Sequence, residues 1–407
     1  MRVLPILVIW LLVDLFTFRS VSTAFSGNES LSELTTWLFW LIDLALLVTI
    51  VFFVARGKMA QGPNKKLHWL MALFMISIIP KLLLVPFLML EDLYRFCRAL
   101  YHAFVLNGDF SMGYRNVLYH QILQALLVFP VVGIIYGVIK GKYAYKVHKV
   151  QLKFKDLPEA FHGFKLTQIS DVHSCSLDNK ALVERGVELI NQQASDIIVF
   201  TGDLVNNVAV EMVEWIDTFS KLKAEKGVYS ILGNHDYGDY ISWKNEESKR
   251  ENLNRLIKIQ KEMGFNLLMN EHVKIEKNGQ SISLIGVENW GKRGFTKYGD
   301  LEKAIAEVDH HQFKILLSHD PSHWEAETLD HDKHIHLTLA GHTHGMQFGI
   351  EMFGIKWSPV KYIYKQWAGI YENAGKYLYV NRGFGFLGFP GRVGIMPEIT
   401  VIELQRG

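Results

Sequence analysis

The sequence predicts a block of N-terminal transmembrane helices followed by an α/β domain. Three observations carry this: an uneven distribution of charge, four long apolar runs, and a later alternation of short apolar runs with amphipathic stretches. Residues 1–139 hold 10 basic and 7 acidic residues, whereas residues 140–407 hold 33 basic and 34 acidic. The first density is about half that of an ordinary soluble domain, and the second matches one. The expected organisation is a membrane domain over 1–139 with about four helices, a basic juxtamembrane linker over 140–149 and a catalytic-type layered domain over 150–407.

The four apolar runs come first. Residues 3–18 are interrupted by Asp14 and are short for a span of roughly 20 residues, so a cleaved signal ending near Ser22-Thr23-Ala24 stays open as an alternative. Residues 38–54 are apolar apart from Asp43 and Thr49, with Trp37 and Trp40 near one end, where interfacial aromatics sit. Residues 67–90 are long enough to cross with tilt although Pro80-Lys81 lies inside, and 117–139 begins with His120, Gln121 and Gln124 before turning wholly apolar. Four such runs in succession read as spans rather than buried core helices. Lys81 and the polar trio also suggest an intramembrane path, for which one cation beside a proline is little support.

Orientation follows from the basic residues. Arg56, Lys58, Lys65 and Lys66 follow the second run, and Lys140, Lys142, Lys146 and Lys149 follow the fourth, in both cases without an acid. The other two connections mix signs. Basic loops stay on the cytoplasmic side, so both termini and the soluble domain are expected in the cytoplasm.

Composition excludes several functions. The soluble part is nearly neutral, so it lacks the basic excess that bulk binding of nucleic acid needs. Cys97 and Cys175 are the two cysteines, too few for a disulfide framework or a cysteine zinc site.

Beyond residue 147 strands are expected at 150–154, 165–169, 197–201, 227–232, 281–287, 314–317, 335–339, 377–380 and 398–404. Helices are expected at 180–193, 210–223, 246–263 and 301–308. Such alternation indicates an α/β layered domain. Residue types that bind metals then recur where strands end: Ser170-Asp171-Val172-His173, Gly202-Asp203, Gly233-Asn234-His235-Asp236, Ser318-His319-Asp320 and Gly341-His342-Thr343-His344-Gly345. The carboxyl ends of strands in an open α/β sheet converge on one crevice. Imidazole suits zinc and iron, and carboxylate and amide oxygens suit manganese and magnesium, so the set fits a pair of divalent ions. A carboxylate has two oxygens with which to bridge them.

These five motifs, in this order, resemble the calcineurin-like metallophosphoesterases, and the resemblance covers roughly Lys149 to the C-terminus. It is closest to the membrane-anchored bacterial branch, the transmembrane proteins with a metallophosphoesterase domain. The segment Val380-Asn381-Arg382-Gly383 and the closing Pro397-Glu398-Ile399-Thr400-Val401-Ile402 are similar to that branch. The resemblance implies two facing mixed β-sheets flanked by helices, with a site for two divalent ions (manganese, iron or zinc) at their edge. It places Asp171, His173 and His344 on one metal, Asn234, His319 and His342 on the other, and Asp203 between both. His235 would face the leaving group, oriented by Asp236. Two departures stand out: the family's Gly-Asp-x-x-Asp ends in Asn206, and the usual Gly-Gly after His-x-His is Gly345-Met346.

The implied chemistry is hydrolysis of a phosphodiester or pyrophosphate by a metal-bridging hydroxide, with His235 protonating the leaving group. Arg293, Arg382 and Arg392 are candidates to hold phosphoryl oxygens, each set against plain surface charge. His310, His311, His323, His331, His334 and His336 follow no strand end and are expected to be structural. Cys175 is expected to line the site rather than bind metal.

The substrate is expected to be phosphorylated and lipid-linked, similar to a UDP-2,3-diacylglucosamine, because the fourth run ends only about 10 residues before the first strand. The glycine- and phenylalanine-rich segment 383–391 reads either as a flexible lip for acyl chains or as a turn packed on the second sheet. Competing readings are a phosphoesterase for soluble phosphodiesters, a non-catalytic membrane metal sensor, and a transporter with an accessory domain.

Overall fold

The structure, a computed structural model, describes residues 4–55, 65–292 and 294–407. Val3, Arg56, Lys58 and Arg293 of the sequence reading lie outside the described residues. The N-terminal part folds as α1 (Leu4–Ala24), α2 (Glu29–Ala55), α3 (Lys65–Phe104), α4 (Val117–Leu126) and α5 (Val128–Ile139). Four stretches are long and apolar enough to cross a membrane: Leu7–Ala24, Glu29–Phe53, Lys66–Phe104 and Val117–Ile139. The last is interrupted at Leu127, between α4 and α5. Helix α3 runs well past the expected 67–90 because the charges that follow are neutralised locally. Arg115 pairs with Glu91 and with Asp92 at 2.6 Å, and Arg95 pairs with Asp92 at 3.0 Å.

The chain divides into two compact units, the second beginning at Gly137. In chain order this unit holds β1 (Lys146–Phe154), β2 (Phe164–Ile169), α6 (Lys180–Asn191), β3 (Ile197–Phe200), α7 (Ile216–Phe219), β4 (Val228–Ser230) and α8 (Glu246–Glu262). Then come β5 (Phe265–Leu267), β6 (Glu271–Lys277), β7 (Gln280–Gly286), α9 (Leu301–Ile305), β8 (Lys314–Leu317) and β9 (Leu337–Ala340). It closes with β10 (Ile350–Met352), β11 (Ile355–Trp357), β12 (Gly369–Asn373), β13 (Lys376–Val380) and β14 (Glu398–Arg406).

Two six-stranded sheets result, ordered β1-β14-β2-β3-β4-β5 and β12-β13-β9-β8-β7-β6, with β10-β11 as a separate hairpin. Strands β2 to β5 run parallel, as do β7, β8, β9 and β13. The parallel strands β3, β8 and β9 are buried along their whole length, as strands covered on both faces are. Between the sheets lies one apolar layer, with Leu166, Ile197 and Val199 from the first meeting Ile315, Leu317, Leu337 and Leu339 from the second. Helices α6 and α8 cover the outer face of the first sheet, and α9 covers that of the second.

Every expected strand is present within a few residues. The expected helix at 210–223 is a 3-10 turn, Ala209–Trp215, followed by the single-turn α7. The Glu211 carboxylate accepts the N–H groups of Asn206, Asn207 and Val208, which pins the chain at the start of the 3-10 turn. The lip reading of 383–391 is corrected as well. Phe384 and Phe386 are fully buried in the layer on the outer face of the first sheet, not the second. Phe384 stacks on Tyr145 with centroids 4.4 Å apart.

Removing a fully buried side chain from the layer between the sheets leaves a cavity. Leu339→Ala should therefore cost about 2–5 kcal/mol, read as a lower denaturant midpoint of the tryptophan-fluorescence transition, whereas truncating exposed Val210 should shift it little.

Candidate metal centre

Adjacent parallel strands put their carboxyl ends on one edge, and the five motifs leave from those ends. Strands β2, β3 and β4 deliver Asp171 and His173, Asp203, and Asn234 from the first sheet. Strands β8 and β9 deliver His319, and His342 with His344, from the second. The loops turn sharply. Asp171, His173, Asp203, His342 and His344 all have left-handed backbone, with φ of 53°, 47°, 61°, 71° and 50°, a region that costs a non-glycine residue about 1–3 kcal/mol. The glycines of the motifs supply clearance. A Cβ at Gly233 would come within 2.2 Å of Asp203 Oδ1, and one at Gly341 within 2.3 Å of Asp171 Oδ2.

Two groups of metal-ligand type form, Asp171 with His173 and His344, and Asp203 with His319 and His342. In the first, His344 Nε2 is 3.2 Å from Asp171 Oδ1 and 2.9 Å from His173 Nε2. In the second, Asp203 Oδ2 is 3.1 Å from His319 Nε2, while His342 Nδ1 is 3.3 Å from His319 Nε2 and 2.8 Å from Asn234 Oδ1. Asp203 Oδ2 is also 3.6 Å from His173 Nε2, so this one carboxylate reaches both groups. Ligand atoms around a tetrahedral ion at about 2.1 Å lie about 3.4 Å from one another. The observed separations fit that spacing, so the residues fit divalent ions. The His173 Nδ1 is buried and without a hydrogen-bond partner, while its Nε2 is the nitrogen that faces His344 and Asp203.

Electrostatics point the same way. Burial would raise the Asp171 and Asp203 carboxyls, but the imidazoles beside them, His344 and His319 foremost, hold both well below the usual carboxylate range. Burial pushes His173 and His342 down, toward the neutral form that can bind a metal. Burial would also lower His319, yet Asp203 outweighs it and pushes the imidazole up to about 10. His319 Nδ1–H donates to the Thr201 carbonyl at 2.7 Å, which leaves Nε2 to face Asp203. A main-chain carbonyl in that position fixes the tautomer a metal needs.

His235 belongs to neither group. It is half-buried, its ring 4.9 Å from that of His173 and nearly perpendicular. Its Nδ1–H donates to the Asn206 carbonyl at 2.7 Å, so Asn206, not Asp236, orients the ring. This corrects the expected role of Asp236. The Asp236 carboxylate is buried and accepts the N–H groups of Asp203, Leu204, Val205 and Gly233; burial, followed by the charge of Asp203, pushes it up to about 7. It ties the loop after β3 to the loop after β4. The amide at Asn206 costs His235 nothing, because the contact uses the main chain.

Residues 1–142 match the family described as "Probable Calcineurin-like phosphoesterase, transmembrane domain", and residues 164–346 match "Calcineurin-like phosphoesterase". The chain belongs to the calcineurin-like phosphoesterases with a transmembrane domain. Among relatives, a "Transmembrane protein with metallophosphoesterase domain" of Danio rerio is 28% identical over 298 residues, 71% of this chain and 63% of that one. The chain thus spans less than two thirds of that relative's length. Two proteins of Bacillus subtilis (strain 168) are also similar. "Uncharacterized metallophosphoesterase YkuE" is 29% identical over 62% of this chain and 83% of its own length. "Uncharacterized metallophosphoesterase YkoQ" is 27% identical over 70% and 99%.

Two arginines expected to hold phosphoryl oxygens are corrected. Arg382 is buried and pairs with Glu398 and Glu351, both at 2.5 Å. Arg392 is fully buried and donates to the Gly383 and Gly385 carbonyls, with Nη2 3.5 Å from His344 Nδ1. Both brace the segment after β13, and neither presents its guanidinium to solvent. The histidines expected to be structural include His336, which pairs with Asp156 at 2.6 Å, and His323, held between Ser318 and Glu327. Cys175 joins neither metal-ligand group. The sequence reading missed three aromatic neighbours of the site. Tyr240 packs on His235 at 4.6 Å and accepts from Asn234, the Tyr364 hydroxyl is 2.8 Å from His342 Nε2, and Phe295 meets His342 edge-on at 4.9 Å. Tyr240 follows the Gly-Asn-His-Asp motif closely enough to have been singled out; Phe295 and Tyr364 carry no local signal.

An amide at position 236 would offer one oxygen and point its NH2 at a backbone donor. Asp236→Asn should lower metal content and stability together, while Asn206→Ala should leave metal content unchanged, both read by elemental analysis of the purified protein and its melting midpoint.

Proposed function

We propose that the chain is a membrane-bound, metal-dependent phosphoesterase that hydrolyses a phosphodiester or pyrophosphate in a lipid-linked substrate, of the kind a UDP-2,3-diacylglucosamine exemplifies. The observation that supports it most is the pairing of the two ligand groups through Asp203 Oδ2 with a histidine, His235, beside them and outside both. In this reading Asp171, His173 and His344 hold one divalent ion, Asn234, His319 and His342 the other, and Asp203 spans the two. When bound, the ions supply Lewis acidity toward the phosphoryl oxygens and water activated for attack at neutral pH.

The protein's own residues do the rest. The Asn206 carbonyl holds the proton of His235 on Nδ1. When Nε2 is protonated as well, it donates that proton to the departing oxygen. Tyr240 limits the ring's rotation from the solvent side. Tyr240, Phe295 and Tyr364 give the site an apolar margin, which suits a substrate with a hydrocarbon portion. The stretch between α5 and β1 is short, which favours a substrate that itself resides in the bilayer.

Asp203→Ala should remove both ions and all phosphodiesterase activity, because one change strips a ligand from each group. His235→Ala should keep the metal content but slow turnover by roughly a hundredfold or more, assayed with an aryl phosphodiester. An empty site in the second variant would make His235 a ligand and end its proposed role.

The basic segment after the fourth span places the active domain in the cytoplasm in this reading. A reporter enzyme that is active only outside the cytoplasm, fused after Gly407, should stay silent; strong signal would invert the topology.

A further inference from the structure

The chain that leaves His344 runs into the β10–β11 hairpin, whose apolar side faces outward. Beyond residue 140 the exposed large hydrophobic side chains gather between Met346 and Ile370; among the described residues only Val210, Val213 and Tyr240 lie elsewhere. The hairpin pairs Ile350 with Trp357, Glu351 with Lys356 and Met352 with Ile355. Successive side chains of a strand point to opposite faces, so Ile350, Met352, Ile355 and Trp357 share one face and Glu351 and Lys356 the other. The polar face is the one fixed to the domain. Glu351 pairs with Arg382 at 2.5 Å, and Lys356 donates to the Ala368 carbonyl with its ammonium 5.0 Å from the Trp367 ring centre. The apolar face therefore points away, with Met352 and Ile355 more than half exposed and Phe353, at the turn, 93% exposed. A ribbon with one apolar face normally turns it inward, and an outward apolar patch marks an interaction surface.

What covers it follows from where the hairpin is tied. The second unit begins at Gly137, inside the last turn of α5. The Gly137 carbonyl accepts the Arg392 N–H at 3.2 Å, and the next residue, Val393, bridges Phe348 and accepts the Gly349 N–H at 2.9 Å. Gln347 adds side-chain bonds to the Phe389 and Gly391 carbonyls at 2.8 and 3.0 Å. Gly137 belongs to a stretch apolar enough to cross a membrane, which ends at Ile139. The segment leading into β10 is thus bonded to a segment that is itself bonded to the end of a span, where a bilayer surface lies. The residue types suit that surface. Trp357 and Tyr362 are the aromatics enriched at membrane interfaces. Lys361 is exposed and makes no ion pair among the described residues, whereas Glu351 and Lys365 are paired with Arg382 and Glu325. Its ammonium suits anionic headgroups.

We propose that the β10–β11 hairpin inserts its apolar face and Phe353 into the headgroup boundary of the bilayer, a second attachment of this unit to the membrane beside its link to the spans. The test uses the full-length protein in nanodiscs of phosphatidylcholine and phosphatidylglycerol. Cys97→Ser and Cys175→Ser leave a single nitroxide label at Phe353→Cys. Power saturation then compares relaxation by oxygen, which concentrates in hydrocarbon, with relaxation by a water-soluble nickel chelate. At a depth of about 5–10 Å, the oxygen-to-nickel ratio should be at least about fivefold that of the same label at the exposed Glu225→Cys. Equal ratios at the two positions would overturn the proposal. So would a label at 353 that neither reagent reaches, which would put a second protein surface on the hairpin. Should Phe353→Cys fail to fold, the label at Ile355→Cys, on the same face, decides by the same criteria. The measurement reads neither metal content nor turnover, so failure here is distinct from failure of the phosphoesterase reading.

Discussion

Two carboxylates, Asp171 and Asp203, are buried where the edges of two β-sheets meet, and among the described residues their ion-pair partners are imidazoles. Most of the domain's local architecture answers to that fact. Concentrated negative charge away from water is tolerated only when matched, and a set of neutral histidines does not match it. The charge of Asp203 accordingly pushes the His319 imidazole up to about 10. Divalent cations would meet the same demand without that proton, so metal loading would compete with protonation of His319. Asp171 also accepts the His342 N–H, at 3.0 Å to Oδ2, and so ties a loop of the first sheet to one of the second.

The backbone carries the cost of this arrangement. Five of the ligand-type residues adopt left-handed φ, and they hold it because the loops are fixed from behind. Asp236 fastens two of them through main-chain N–H groups, Glu211 closes the turn after Asn207, and the buried Arg392 braces the glycine-rich segment against His344. The apolar layer between the sheets then keeps the two sets of strand ends in register. Acids and bases that resemble catalytic groups in sequence thus divide into those that face the site and those that build the loops.

The parts of this structure legible in the sequence were those with a strong period or a strong local chemistry. Buried parallel strands such as 314–317 are continuous apolar runs, and each ends in a motif rich in glycine, aspartate and histidine. What escaped was set by tertiary contacts. Strands β5, β10 and β11 are three residues long, too short to show alternation, and β6 is a mostly charged edge strand. Asp236 and His235 are neighbours in the chain, yet one turns to the backbone and the other to the crevice. Phe384 and Phe386 sit in a glycine-rich stretch that looks mobile by composition, but both side chains pack onto the first sheet. Lys81 looked isolated because its partners, Asp14 and Asp43, lie on two other helices, far away in sequence.

One oxygen of Asp203 reaches both ligand-type groups, and a carboxylate so placed would be shared if each group held an ion. Electron paramagnetic resonance of the manganese-loaded protein tests this directly. Two ions sharing a ligand a few ångströms apart couple their spins, so the account predicts a multiline exchange-coupled spectrum at full loading, lost in Asp203→Ala. A spectrum of isolated manganese alone, six lines at every loading, would contradict it.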